Sequence, residues 1–190
     1  MNENEERTIQ SEMIYRGRIL NLRRDTVALP NGRTAPREVV EHNGGIGVAA
    51  LTPAGELLMV RQLRYPYGES LLEIPAGKRE GNEEPLRGGQ RELREETGAV
   101  GRDYRYLGRI YPTPGYCSEV IWLYLCRVAS VGEMHLDPDE FICVERVPLA
   151  DAVQLVMAGK IPDAKTQIAV LKTAELVRTG VYPIAVPEKE

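Results

Sequence analysis

The chain has 190 residues, enough for one well-buried core and one principal domain. Its apolar share of 43% and charged share of 27% are those of an ordinary globular protein, and a net charge of −4 withholds the basic footprint of a nucleic-acid binder. Cys117, Cys126 and Cys143 are far apart, no C-x-x-C pair exists, and only His42 and His135 offer imidazole, so neither a zinc site nor a disulfide framework is expected. The first residues lack the apolar segment of a signal peptide and no apolar run reaches membrane-spanning length, so a cytoplasmic protein with free thiols is expected, with no membrane or nucleic-acid partner.

The first ten residues are polar and expected to be loosely held. Short apolar runs at 13–15, 19–22 and 25–29 read as strands, and Pro30-Asn31-Gly32-Arg33 is a turn signal before another strand over 34–42. Residues 1–42 thus form an N-terminal β-hairpin region, ahead of a main domain over 43–190. Residues 45–52 and 56–64 are continuously apolar rather than alternating, which suggests central strands covered on both faces. A short strand over 71–75 leads into Ala76-Gly77.

A helix is expected from near Glu83, with Pro85 in its first turn and Gly98 as its stop. Gly88 and Gly89 fall inside it, at about 1 kcal/mol each relative to alanine. Either the helix packs closely on the sheet there, or regular helix starts late. Strand-like runs follow near 104–111, 120–128 and 141–147, then a helix from Pro148 to about Ala158 and a last one capped by Asp163. The sum is α/β: a mixed central sheet between helices.

Chemistry concentrates on the first helix. Glu92, Glu95 and Glu96 are spaced i, i+3 and i+4, which places three carboxylates on one face. Like charges this close raise one another's pKa, and the cluster calls for a hard divalent cation, Mg²⁺ or Mn²⁺. Arg91, one turn before Glu95, can pair with a carboxylate and fix its rotamer. Gly77 would let backbone approach a phosphate or metal.

Gly77, Glu83 and then Arg91-Glu92-Leu93-Arg94-Glu95-Glu96-Thr97-Gly98 stand at the spacing of the Nudix box, and the chain resembles the Nudix hydrolases. One position departs: Ala99 stands where the family has a bulky aliphatic. Glu73-Ile-Pro-Ala-Gly-Lys78, 111–119, Ile161-Pro-Asp-Ala-Lys-Thr166 and Asn31-Gly32 with Arg37-Glu38-Val39-Val40 are similar to the ADP-ribose pyrophosphatase branch. The resemblance implies the Nudix fold, an α/β/α sandwich. It implies metal ligation by Glu92 and Glu96, with Glu95 and the Ala76 carbonyl, while Glu83 stabilises the loop. It also implies a base or extra ligand from a late loop, with Glu140 the first candidate and Asp139 the second. Homodimers are implied in which the N-terminal strands join the interface and the substrate site. Arg37, Arg64 and Glu73 are candidate substrate contacts, with Ser118 and Glu119 near the terminal ribose and Tyr15 or Tyr65 against adenine; Tyr104, Tyr111 and Trp122 read most simply as core or interface aromatics. The expected reaction is hydrolysis of ADP-ribose to AMP and ribose 5-phosphate. The alternatives are another nucleoside diphosphate sugar, such as ADP-glucose or GDP-mannose, or a ligand-binding regulator that has lost catalysis.

Overall fold

The computed structural model describes residues 5–138 and 140–184, which divide into two compact units. The first holds the N-terminal residues to Gly44 together with 111–120. Its core is an antiparallel sheet of β1 (Arg7–Arg16), β2 (Leu20–Ala28) and β3 (Thr34–His42), in that order. Two expectations are corrected here. Residues 7–10 are already strand, and the runs at 19–22 and 25–29 belong to one strand, β2, since the intervening Arg23 and Arg24 pair across to both neighbours. The turn between β2 and β3 forms as expected, closed by Gly32 N donating to the Leu29 carbonyl at 3.0 Å with Gly32 at φ 80°. Segment 111–120 straps onto β3 through Val40 N to the Tyr116 carbonyl (2.8 Å) and Ser118 N to the Val40 carbonyl (2.9 Å).

The second unit is built on a seven-stranded mixed sheet. Its strands are β4 (Gly45–Leu51), β5 (Glu56–Arg64), β6 (Glu69–Glu73), β7 (Ala76–Lys78), β8 (Ala99–Ile110), β9 (Ile121–Val131) and β10 (Ile142–Pro148). The main path runs β10-β5-β4-β9-β8, with β6 on β5 and β7 on β4, and β4 and β9 are parallel. The strand expected at 71–75 lies instead at Glu69–Glu73, and the one expected at 104–111 begins at Ala99, because Gly98 turns the chain directly from helix into strand.

Alternation along β4, β5 and β9 sorts side chains into two cores on opposite faces. Ala49, Leu51, Leu57, Met59, Leu123 and Leu125 meet α2 (Leu149–Met157) and α3 (Ala164–Arg178). Ile46, Val48, Ala50, Leu58, Tyr124 and Cys126 meet Leu93 of α1 (Pro85–Thr97). Both faces are covered, so the strands read as unbroken apolar runs, and the architecture is an α/β/α sandwich. Ala99 joins the second core fully buried, so the shorter side chain is a local packing change that leaves α1 seated. Among the described residues no helix is long and apolar enough to cross a membrane.

Candidate active site

The turn from β7 to α1 brings the site together in the second unit. Glu84 caps the helix, its carboxylate accepting from Arg87 N at 3.1 Å, and Pro85 follows in the first turn. At the other end Gly98 takes a left-handed φ of 68° and donates to the Arg94 carbonyl. α1 includes both Gly88 and Gly89, so of the two readings of this pair close packing holds. A Cβ on Gly89 would stand 3.0 Å from methyls of both Ile46 and Val48, and one on Gly88 3.0 Å from Ile46. That approach seats the helix directly on β4. Gly77 faces the acids even more tightly: a Cβ there would lie 1.9 Å from the Glu92 carboxyl carbon. The residue is glycine because the Glu92 carboxylate occupies the space a side chain would need.

Arg91 ties loop and helix together. Its guanidinium reaches Glu83 (3.2 and 3.3 Å), Glu95 (2.9 Å), Glu92 (2.9 Å) and the Lys78 carbonyl (3.2 Å). The hydrogen bonds from Arg91 hold Glu83 below the usual carboxylate range. The expected i, i+4 pair with Glu95 is therefore present, within a larger set of contacts that organise the loop. Arg79 adds to it, donating to the Glu83 carbonyl at 2.7 Å.

Glu92 and Glu96 are the buried acids. Burial pushes Glu92 up to about 7 against the pull of Arg91, with the charges of Glu95 and Glu140 adding to the rise. Glu96 is 2% exposed and is pushed up to about 8, again first by burial, with the Ala76 N–H at 2.8 Å opposing and the charges of Glu92 and Glu140 reinforcing. Among the described residues no cationic side chain is ion-paired with Glu96. The three box acids are neighbours, yet Glu95 is turned to Arg91, and among the described residues no three acidic, histidine or cysteine side chains already surround one point as around a bound ion. The donor set still fits a hard divalent cation: two buried carboxylates in a glycine cradle beside exposed Lys78, with Glu92 sharing Arg91 with Glu83 and Glu95, and Glu96 without an ion pair among the described residues.

Glu140 is half-buried in the loop before β10, close enough for its charge to raise both Glu92 and Glu96. Asp139 lies outside the described residues. The loop is anchored to the end of α1 by His135 N on the Glu95 carbonyl (2.9 Å) and Gly132 N on the Gly98 carbonyl (2.8 Å), contacts carried by backbone and so invisible in residue types.

Arg64 and Glu73, both expected to meet substrate, are paired with each other. Arg64 Nε and Nη2 donate to the two Glu73 oxygens at 2.7 Å each. Glu73 is 1% exposed, so it lies beneath Arg64 and offers no surface to a ligand. Burial alone would push its carboxyl up, but Arg64 and Lys165 together hold it below the usual range. In the first unit, Arg37 forms a two-pronged pair with Glu6 (2.9 and 2.5 Å), Ser118 Oγ accepts from His42 N at 3.2 Å, and Glu119 lies 3.3 Å from His42 Nδ1. Sequence reasoning missed His42 and Lys165; Lys165 sat in a quoted motif without an assigned task, 92 residues from its partner Glu73.

An α/β/α sandwich that carries buried paired carboxylates against a glycine turn defines a protein fitted to divalent-cation chemistry. The chain belongs to the Nudix family, the NUDIX domain matching residues 41–168, while the nucleoside diphosphate sugar hydrolase N-terminal domain matches 6–40. It is a Nudix hydrolase, an enzyme of pyrophosphate bonds, and members of this family generally need divalent metal ions. An ADP-ribose pyrophosphatase of Bacillus subtilis (strain 168) is 41% identical over 168 residues, covering 87% of this chain and 91% of that protein. A methanol dehydrogenase activator of Bacillus methanolicus is 42% identical over 168 residues, with 87% and 91% covered. A solved structure described as an ADP compounds hydrolase shares the fold, with TM-score 0.82 at 18% identity over 93% of this chain and 96% of that one.

Proposed function

We propose that this protein hydrolyses ADP-ribose to AMP and ribose 5-phosphate, water adding across the P–O–P linkage. The observation that carries the reading is the pair of buried carboxylates, Glu92 and Glu96, gathered against Gly77 and the Ala76 N–H and pushed up to about 7 and about 8, Glu92 sharing Arg91 with its neighbours and Glu96 without an ion pair among the described residues. In this reading Glu92 and Glu96 hold Mg²⁺ or Mn²⁺, with Glu95 and the Ala76 carbonyl as further ligands. Bound there, the cation would neutralise charge on the diphosphate and lower the pKa of water.

The chain's own residues do the rest. Arg91 keeps the acids and the 78–83 loop in register. Arg64 offers Nη1 to a phosphate oxygen, its other nitrogens being held by Glu73. Glu140, on its loop, is the candidate to accept a proton from water, with Asp139 the second candidate. Arg37, Ser118 and Glu119 are assigned to the nucleoside and terminal ribose. The 1–42 region is assigned to a homodimer interface and the substrate site, and 43–190 to the hydrolase domain. The three free cysteines accord with a cytoplasmic setting.

The ADP-ribose assignment draws on the Bacillus subtilis relative, whose name specifies that substrate. The test is a screen of ADP-ribose, ADP-glucose and GDP-mannose with Mg²⁺ and with Mn²⁺, products separated by chromatography. ADP-ribose should turn over fastest and yield AMP with ribose 5-phosphate. Faster cleavage of GDP-mannose would overturn the substrate, and no cleavage of any diphosphate would overturn catalysis in favour of a regulator.

A further inference from the structure

The motif at 161–166 has no task in the chemistry above, although Ile161, Asp163, Lys165 and Thr166 all make hydrogen bonds that tie it to its surroundings. Asp163 Oδ2 caps α3 by accepting from Thr166 N at 2.9 Å. Its other oxygen accepts from Lys165 Nζ at 3.0 Å, and Lys165 Nζ also donates to Glu73 Oε2. Thr166 Oγ1, fully buried, accepts from Ile74 N at 3.0 Å. Two residues on, Ala76 N donates to Glu96. Residues 73–76 are therefore clamped between the first turn of α3 on one side and the buried acid of α1 on the other.

The charges have a direction. Glu73 meets two cations, Arg64 and Lys165, and only Arg64 is at the surface: its side chain is 35% exposed, against 11% for Lys165 and 1% for Glu73. Arg64 spends Nε and Nη2 on Glu73, and among the described residues nothing pairs with its Nη1. Its charge is felt by Glu96. A buried carboxylate keeps one rotamer only while its lone pairs are met, and Lys165 meets the oxygen that Nη2 shares.

We propose that Lys165 is a positioning residue for diphosphate binding, acting through Glu73 to fix the Arg64 guanidinium with its Nη1 edge free for a phosphate oxygen. This rests on the reading above that Arg64 contacts the diphosphate. Lys165 itself is half-buried between Glu73 and Asp163, and in this reading it acts on substrate only through Glu73 and Arg64. Without it Glu73 loses one of its two cations and the carboxylate is no longer held to one rotamer, so Arg64 must be ordered anew each time substrate binds. The cost falls on binding, with the chemical step left in place.

The experiment measures kcat and KM, on whichever nucleoside diphosphate compound turns over fastest, for wild type, Arg64→Gln, Lys165→Met, their double variant and Lys165→Arg. Arg64→Gln should raise KM about tenfold, Lys165→Met about fivefold with kcat within about twofold, and the double variant should be no worse than Arg64→Gln alone. Lys165→Arg, which keeps the charge, should return KM toward wild type. If Lys165→Met does not fold, Lys165→Gln, which keeps a donor without the charge, takes its place with the same expectation. A KM rise in Arg64→Gln with none in the Lys165 variant overturns the positioning role and leaves the Arg64 contact standing. An unchanged KM in Arg64→Gln overturns the contact on which it rests. Additive effects in the double variant overturn the route through Arg64.

Discussion

Glu96 shows how one buried side chain couples stability to function. Its carboxyl, like that of Glu92, is raised above the unfolded value of about 4.3. Each group therefore favours folding fully only below that value, and the contribution is lost as pH rises through about 7 for Glu92 and about 8 for Glu96. With divalent cations chelated, the melting temperature should fall steadily between about pH 5 and pH 8.5. Mg²⁺ or Mn²⁺ should restore it, and more at pH 8 than at pH 6, because a cation must displace protons at the lower pH. Glu96→Gln removes the costly charge but keeps the shape. It should flatten the chelated pH slope while lowering cation-dependent hydrolysis by about a hundredfold or more. Thermal scans across pH, with and without chelator, check the first half, and an unchanged slope in the variant would show that burial of this acid is not what sets it. Steady-state rates check the second.

The helix that carries the acids is seated by glycine. Gly89 is fully helical, so alanine there would gain about 1 kcal/mol of intrinsic propensity. The methyl would stand 3.0 Å from both Ile46 and Val48, which are buried β-branched residues of β4 with little room to move. Overpacking should win: Gly89→Ala is expected to lose about 1–2 kcal/mol in urea unfolding, and a stabilised variant would mean the sheet yields. The bounds of α1 were legible because they rest on local signals, Pro85 at the start and Gly98 at the stop. The two-faced burial of β4 and β5 was legible in their unbroken apolar runs. The two accounts of Gly88 and Gly89 could not be separated in sequence, since the difference lies in Ile46 and Val48, some forty residues away. The same distance problem hid the Arg64, Glu73 and Lys165 cluster: Arg64 and Glu73 read as separate substrate contacts, Lys165 carried no task, and only the pairing of β6 with β5 and the docking of α3 bring them together. The early strand at 7–10 was missed because its polar side chains lack the apolar alternation of a half-buried strand.

At the scale of the molecule, the first unit leaves apolar side chains uncovered. Ile9 and Ile14 are 55% and 49% exposed, and Tyr15 and Ile19 are 58% exposed each. Ile9 and Ile14 stand at the register shifts of β1, between Thr8 and Gln10 and between Met13 and Tyr15. β1 has a paired neighbour, β2, on one side only, so it is an edge of its sheet. Bulges at an edge re-aim side chains, and here they present two isoleucines where lysine or proline would normally discourage association. A three-stranded sheet with such a face gains by meeting a second copy of itself, and a closed two-fold pair satisfies both copies at once. In light scattering after size exclusion the wild type should therefore run at twice the chain mass. Ile9→Glu combined with Ile14→Glu should run at the chain mass, because two charges per subunit cannot be buried unpaired. The Gly45–Ile110 and 121–190 unit, with its own two cores, should keep its far-ultraviolet circular dichroism in that variant. Hydrolysis separates the consequences. If the N-terminal strands complete the substrate site across the interface, KM rises in the monomeric variant as association is lost, and raising protein concentration restores both in parallel. A variant that becomes monomeric with unchanged KM would place the whole substrate site within one chain, and a variant that stays dimeric would place the interface elsewhere than β1.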